Sequence, residues 1–231
     1  MKGSGNGRAV VLLSGGLDSA TALYIALDAG FRVHALSFGY GQVSLPELRA
    51  AALVAERAGV EDHVVSELDP RLFSGSSLTG RGKVPDGDPG GDSGGIPSTY
   101  VPARNTVFLA MALALAESIG SRDVFIGVNS VDYSGYPDCR PEFLEAFRRL
   151  AELATREGVE GRPIRIRAPL LDMSKGEIIR KGLALGVDYS LTLSCYRPDD
   201  KGRHCGSCDS CILRLGGFRE AGVPDPAPYR G

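Results

Sequence analysis

The chain has 231 residues, a net charge of -2, 43% hydrophobic and 23% charged residues. This suits one globular domain with a sizeable core and room for a small appendage, and it argues against a general polyanion binder. No apolar run approaches the ~20 residues of a membrane helix. Residues 1–7 (M-K-G-S-G-N-G) carry no apolar signal segment, so a cytosolic protein without a membrane partner is expected.

The first apolar run, residues 9–13, stops at Ser14-Gly15-Gly16, and a helical pattern begins at about Asp18. A buried strand feeding a glycine turn and a helix N-terminus is a phosphate-binding arrangement. The two glycines admit close backbone approach, Ser14 and Ser19 offer hydroxyls, and Asp18 offers a carboxylate that faces a metal or caps the helix. No Lys follows Gly16, which excludes a Walker loop, and S-G-G-L-D-S is not G-x-G-x-x-G.

An Ala/Leu-rich helix runs to Gly30, a second strand covers 31–38, a second helix 44–59 and a third strand 62–68. This alternation predicts a parallel sheet. Residues 74–98 are rich in Gly, Ser, Asp and Pro and read as a long mobile loop with little to pack. A helix is expected from 106 to 119, a fourth strand at 123–128 and a loop at 129–140. That loop leaves the carboxyl end of a strand, where open α/β sheets bind ligands. A helix over 141–157, a fifth strand at 164–168 and a helix over 175–185 follow, the last with Ser174 and Glu177 spaced as a capping box.

Five cysteines occur, at 139, 195, 205, 208 and 211. The last four, spaced C-x9-C-x2-C-x2-C, suit a closed tetrahedral zinc site of structural type. Iron–sulfur clusters also take four cysteines, and zinc is the preferred reading. His204 reads as a solvated loop residue, and His34 and His63 as core-edge residues. Cys139 is either a small buried residue or part of the site after the fourth strand.

S-G-G-L-D-S matches the pyrophosphate loop (PP-loop) of the ATP pyrophosphatases. T-Y-V-P-A-R-N at 99–105, D-Y-S-G-Y-P-D-C-R-P-E-F at 132–143 and the cysteine cluster follow it in one order. Together these motifs resemble the 7-cyano-7-deazaguanine synthases, the QueC family, over roughly residues 8–219. The resemblance implies a Rossmann-like (adenine nucleotide alpha hydrolase-like) α/β fold, with a five-stranded parallel sheet and helices on both faces. It implies a PP-loop α/β domain at 8–190 and a small C-terminal zinc-binding segment with four cysteine ligands at 191–219. It also implies a carbon–nitrogen ligase that turns 7-carboxy-7-deazaguanine and ammonia into the nitrile with ATP, for queuosine biosynthesis. A carboxylate is a poor electrophile; transfer of AMP makes a leaving group, ammonia gives the amide, and a second activation permits loss of water.

On this resemblance, Ser14, Gly15, Gly16, Asp18 and Ser19 hold the pyrophosphate end of ATP, with Asp18 also facing Mg²⁺. Phe38 lies near adenine, Arg104 and Asn105 neutralise charge on the nucleotide, and Lys175 meets the departing pyrophosphate. Asp138 is the first and Asp132 the second candidate to read the guanine edge, since a carboxylate accepts from N1–H and N2–H₂ together. Tyr133 or Tyr136 stacks on the base, or packs the loop. Zn²⁺ is held by Cys195, Cys205, Cys208 and Cys211, and a homodimer is implied.

The sequence departs from the family where Val43 and Ser44 follow Tyr40-Gly41-Gln42 in place of Arg and His, and in the Gly-rich insertion after Thr79. A QueC-like enzyme that stops at the amide, or transfers the deazaguanine, therefore stays open. A tRNA-thiolating pyrophosphatase would want free cysteines and a basic surface, and a nucleic-acid-binding zinc module would want a recognition helix. Four of the five cysteines look tied to metal, the net charge is -2 and no recognition-helix pattern accompanies the cysteine loop, so these readings rank below the first and no nucleic-acid partner is expected.

Overall fold

The computed structural model describes residues 7–41, 45–80, 83–87, 95–129 and 135–230. Strands β1 (Arg8–Leu12), β2 (Arg32–Gly39), β3 (Asp62–Glu67), β4 (Asp123–Phe125) and β5 (Arg165–Arg167) form one sheet in the order β3-β2-β1-β4-β5. All four pairings are parallel. The connecting helices are α1 (Leu17–Asp28), α2 (Leu45–Ala58), α3 (Arg104–Ser118), α4 (Pro141–Ala154), α5 (Arg156–Val159) and α6 (Lys175–Ala184), followed by α7 (Asp209–Ala221).

The central strand decides the layering. Successive side chains of a strand point to opposite faces. Val10 and Leu12 face a core shared with Leu109, Ala112 and Leu113 of α3 and Leu144 and Phe147 of α4. Ala9, Val11 and Leu13 face a second core with Leu23 of α1, Val54 of α2, Ile178 and Ile179 of α6 and Phe218 of α7. Burial on both faces explains the unbroken apolar run, as expected for a parallel sheet covered on both sides. The fold is Rossmann-like. The order reverses at β1: the chain leaves it toward β2 and β3, then returns to its other side with β4. This switch point opens a crevice at the carboxyl ends of β1 and β4.

Several boundaries differ from the sequence reading. Helix α3 begins at Arg104, earlier than expected, after Ala103 in the left-handed region (φ 53°). The long fourth helix breaks at Thr155, whose hydroxyl donates to the Ala151 carbonyl and accepts from the Gly158 amide. Helix α7 is not evident in the sequence, because Gly216-Gly217 and the cysteines hide its period. The described parts of the Gly-rich loop are held rather than mobile. The Ser77 amide donates to the Ser98 carbonyl and Val84 is buried. The Gly87 amide donates to the Ser207 carbonyl, and the Arg197 guanidinium pairs with Asp86. Among the described residues, no helix is long and apolar enough to cross a membrane.

The C-terminal segment is built into the body of the fold. Arg214, fully buried on α7, pairs bidentately with Asp225 (Nε–Oδ2 2.8 Å, Nη2–Oδ1 2.9 Å). The same guanidinium donates to Thr192 Oγ1 (2.8 Å) and to the Tyr189 carbonyl (3.0 Å). Tyr229 donates its hydroxyl to Asp225 at 2.6 Å, which lashes the tail to the same centre. Removing one member of such a pair leaves an uncompensated buried charge. Arg214→Ala is therefore expected to lower the unfolding free energy by about 3–5 kcal/mol. Replacing Arg214 and Asp225 together by apolar residues should cost less than either single change, as read by urea denaturation.

Candidate active site

The crevice at the switch point is a cleft of about 220 Å³. Its floor is the turn after β1. Gly15 has φ 85°, and a Cβ there would lie 2.5 Å from the Glu47 carbonyl oxygen and 2.6 Å from the Ala51 amide nitrogen. Glycine is required twice over, by conformation and by the approach of α2. The turn is tied internally: Ser14 and Ser19 hydroxyls lie 3.0 Å apart, the Ser14 amide donates to Ser19 Oγ, and Ser19 donates to the Gly16 carbonyl. It is also tied from outside, since the Leu193 amide donates to the Gly15 carbonyl (2.9 Å) and the Leu17 amide to Ser194 Oγ (3.3 Å). Opposite, Gly127 after β4 lies so close to α1 that a Cβ would stand 2.9 Å from the Ser19 amide nitrogen.

Asp18 lines the cleft in the first turn of α1. Both its oxygens accept from Lys175 Nζ, at 2.8 and 2.9 Å. Lys175 is buried at the start of α6, where the Ser174–Glu177 capping box holds the backbone. A Cβ on Gly217 of α7 would overlap the Lys175 stem, so α7 leaves the passage that this lysine needs.

The far wall carries Phe38, stacked on Phe108 with ring centroids 4.0 Å apart, and Tyr40, whose hydroxyl accepts from Arg104 Nη1 at 3.2 Å. Arg104 and Asn105 enter the cleft from the first turn of α3. Tyr136 and Cys139 close one side. Burial pushes the Cys139 thiol up to about 12, with the neighbouring Asp138 adding to the rise, so it stays protonated. Glu47 also lines the cleft, and burial pushes its carboxyl up to about 7 against the pull of Arg104.

Beside this cleft the four C-terminal cysteines bring their sulfurs within 4.8 Å of one another. A tetrahedral ion with Zn–S near ~2.3 Å requires sulfurs about 3.8 Å apart, and Cys205 and Cys211 lie 3.9 Å apart. Backbone amides already point at the sulfurs: Arg197 and Cys205 toward Cys195 (3.3 and 3.2 Å), and Cys208 toward Cys205 (3.3 Å). Such donors stabilise metal-bound thiolates. The cluster fits a structural zinc site.

The Queuosine biosynthesis protein QueC family model matches residues 8–222. The chain belongs to this family. It is 59% identical over 223 residues to the 7-cyano-7-deazaguanine synthase of Cupriavidus taiwanensis, covering 96% of this chain and 97% of that one. It is 58% identical over 224 residues to the same-named protein of Kineococcus radiotolerans, covering 96% and 98%. Among solved structures, an NMN synthetase from Francisella tularensis shares the fold at a TM-score of 0.51 and 15% identity, covering 96% of this chain and 79% of that one.

In this QueC-family chain, the sequence candidates Ser14, Gly16, Asp18, Ser19, Phe38, Arg104, Asn105 and Tyr136 meet in one cleft, with Gly15 beneath it and Lys175 reaching Asp18. Asp132 and Tyr133 lie outside the described residues, as do Val43 and Ser44. Asp138 stands behind the wall: it is buried, its carboxylate accepts from the Asn105 backbone amide (3.0 Å), and its carbonyl accepts from the Asn105 side chain (3.0 Å). It therefore caps α3. His204 is not solvated as the sequence suggested but buried against Tyr229, because the C-terminal tail folds over it. Sequence reasoning missed Glu47, Asn129, Ser194 and Tyr196, which line the cleft without any motif to announce them. Gly15→Ala should cost at least ~1–2 kcal/mol from the left-handed backbone alone, plus the overlap with α2. A lowered thermal midpoint is the expected readout, and an unchanged one would overturn both the backbone cost and the overlap with α2.

Proposed function

We propose that this protein makes 7-cyano-7-deazaguanine from 7-carboxy-7-deazaguanine and ammonia, using ATP. The carrying observation is the S-G-G-L-D-S turn at the switch-point cleft, in a chain alike over nearly its whole length to proteins named 7-cyano-7-deazaguanine synthase. No nucleophilic side chain is needed. The task is to neutralise phosphate charge and align a carboxylate with the α-phosphate.

The α1 N-terminus and the Ser14 and Ser19 hydroxyls receive the phosphates of ATP, and Phe38 borders the adenine. Arg104 binds the substrate carboxylate or the α-phosphate. Lys175, released from Asp18, neutralises the departing pyrophosphate. Asp18 would be the residue that holds Mg²⁺, whose preference for few protein ligands a single carboxylate suits, and the ion would supply neutralisation of phosphate charge. Asp138, engaged with α3, keeps Arg104 and Asn105 in place, which leaves Asp132 to read the guanine edge and Tyr133 or Tyr136 to border the base. The four cysteines hold Zn²⁺ and anchor the residues just before Cys195 on the phosphate turn. The family resemblance also favours a cytoplasmic homodimer.

Incubation with ATP, ammonia and 7-carboxy-7-deazaguanine should give the nitrile by mass spectrometry; amide as the end product would overturn the second dehydrating step. Asp18→Asn should lower turnover by at least about 10²-fold while the fold persists, and full activity would remove the phosphate turn from the mechanism. Elemental analysis should find one zinc per chain. Cys208→Ser should lose that metal and much of the stability, since metal binding to such a cluster contributes folding free energy.

A further inference from the structure

Amide formation releases a proton, and the cleft must have somewhere to put it. Attack of ammonia on the acyl adenylate forms a C–N bond and breaks the C–O bond to AMP. The leaving phosphate oxygen takes the bonding pair, and one N–H proton has to depart.

The cleft lining offers few acceptors among the described residues. No histidine lines it. The Cys139 thiol is held protonated, and burial raises Tyr40 and Tyr136 above the ordinary phenol range, so these hydroxyls are not bases. Asp18 and Glu47 are the carboxylates of the described lining. Both Asp18 oxygens are occupied by the Lys175 ammonium. If Mg²⁺ displaces the lysine, the cation again neutralises the carboxylate.

Glu47 differs on each count. It projects from the first turn of α2, whose backbone packs on Gly15, so its position is set by the phosphate turn itself. Its titratable neighbours are the Arg104 guanidinium from α3, which the reaction uses, and the neutral Tyr40 hydroxyl just after β2.

Resting on the proposed reaction, we infer that the Glu47 carboxylate is the proton acceptor of the amide-forming step. It takes the proton that the attacking nitrogen loses and returns it to solvent. Burial brings its carboxyl to about 7, near the working pH, where a base combines availability with driving force. Above that value the carboxylate is charged and accepts. Below it the group is already protonated, so the rate should fall about tenfold per pH unit.

The test separates the two chemical halves in the full-length enzyme. Carboxylate-dependent exchange of labelled pyrophosphate into ATP reads the first half, and amide formation at constant free ammonia across pH reads the second. For Glu47→Gln, exchange should stay within a few-fold of wild type. Amide formation should fall by roughly 10²-fold and lose its acid limb near pH 7, as for removal of a general base. Glu47→Asp should recover part of the rate and restore the limb. Unchanged amide formation in Glu47→Gln overturns the assignment. Equal loss of exchange and amide formation also overturns it, making Glu47 a positioning residue for Arg104. If the wild-type enzyme supports no exchange with 7-carboxy-7-deazaguanine, the proposed reaction fails and this role falls with it.

Discussion

The ion pair between Asp18 and Lys175 is the point on which the site depends. It joins the first turn of α1 to the start of α6, across 157 positions of sequence. Each partner is held by something else: Asp18 by the glycine turn, Lys175 by the capping box behind it and by the gap at Gly217. A buried charge is tolerated only when it is paired or hydrogen-bonded. The lysine can therefore lie inside the protein because Asp18 is there. The same pairing holds a cation at the glycine turn after β1.

The cysteine segment gains meaning from this geometry. It is not a detached module at the end of the chain. Leu193 and Ser194, just before Cys195, hold the backbone of the phosphate turn. Helix α7, which begins beside Cys208, packs Phe218 into the core and leaves the space at Gly217 for Lys175. Arg197 and Ser207 receive Asp86 from the Gly-rich loop. The Arg214–Asp225 pair then locks the tail over the whole. The four-cysteine cluster, which fits a tetrahedral metal, is a fixed point to which the glycine turn, the lysine and the loop are all referred.

Much of this was legible because it is local. The apolar run of β1, the glycine turn and the start of α1 form one continuous stretch. Its likeness to a phosphate-binding turn follows from backbone conformation and residue type. The parallel sheet followed from alternation, and the cysteine spacing pointed to metal because thiolates at short separation have few other uses. What the sequence did not show depended on distant partners. Asp138 has the residue type to read a base, and the fold places its carboxylate where it accepts from the Asn105 amide. His204 looks solvated until the tail folds over it. The Gly-rich loop lacks side chains to form its own core, yet residues 83–87 find anchors on a surface made by residues 197–207.

The sequence by itself determined the chemical repertoire: a phosphate turn with hydroxyls and a carboxylate, a four-thiolate cluster, and a chain whose motifs run in the order of one family. Those are properties of short contiguous segments, and residue type with neighbouring backbone settles them. Only the tertiary structure decided which groups share the cleft and in what state. It brought Lys175 to Asp18, turned Asp138 to the end of α3, and set Glu47 beside Arg104. Such assignments depend on distance and on exclusion of water, and both are fixed only when segments far apart in the chain pack together.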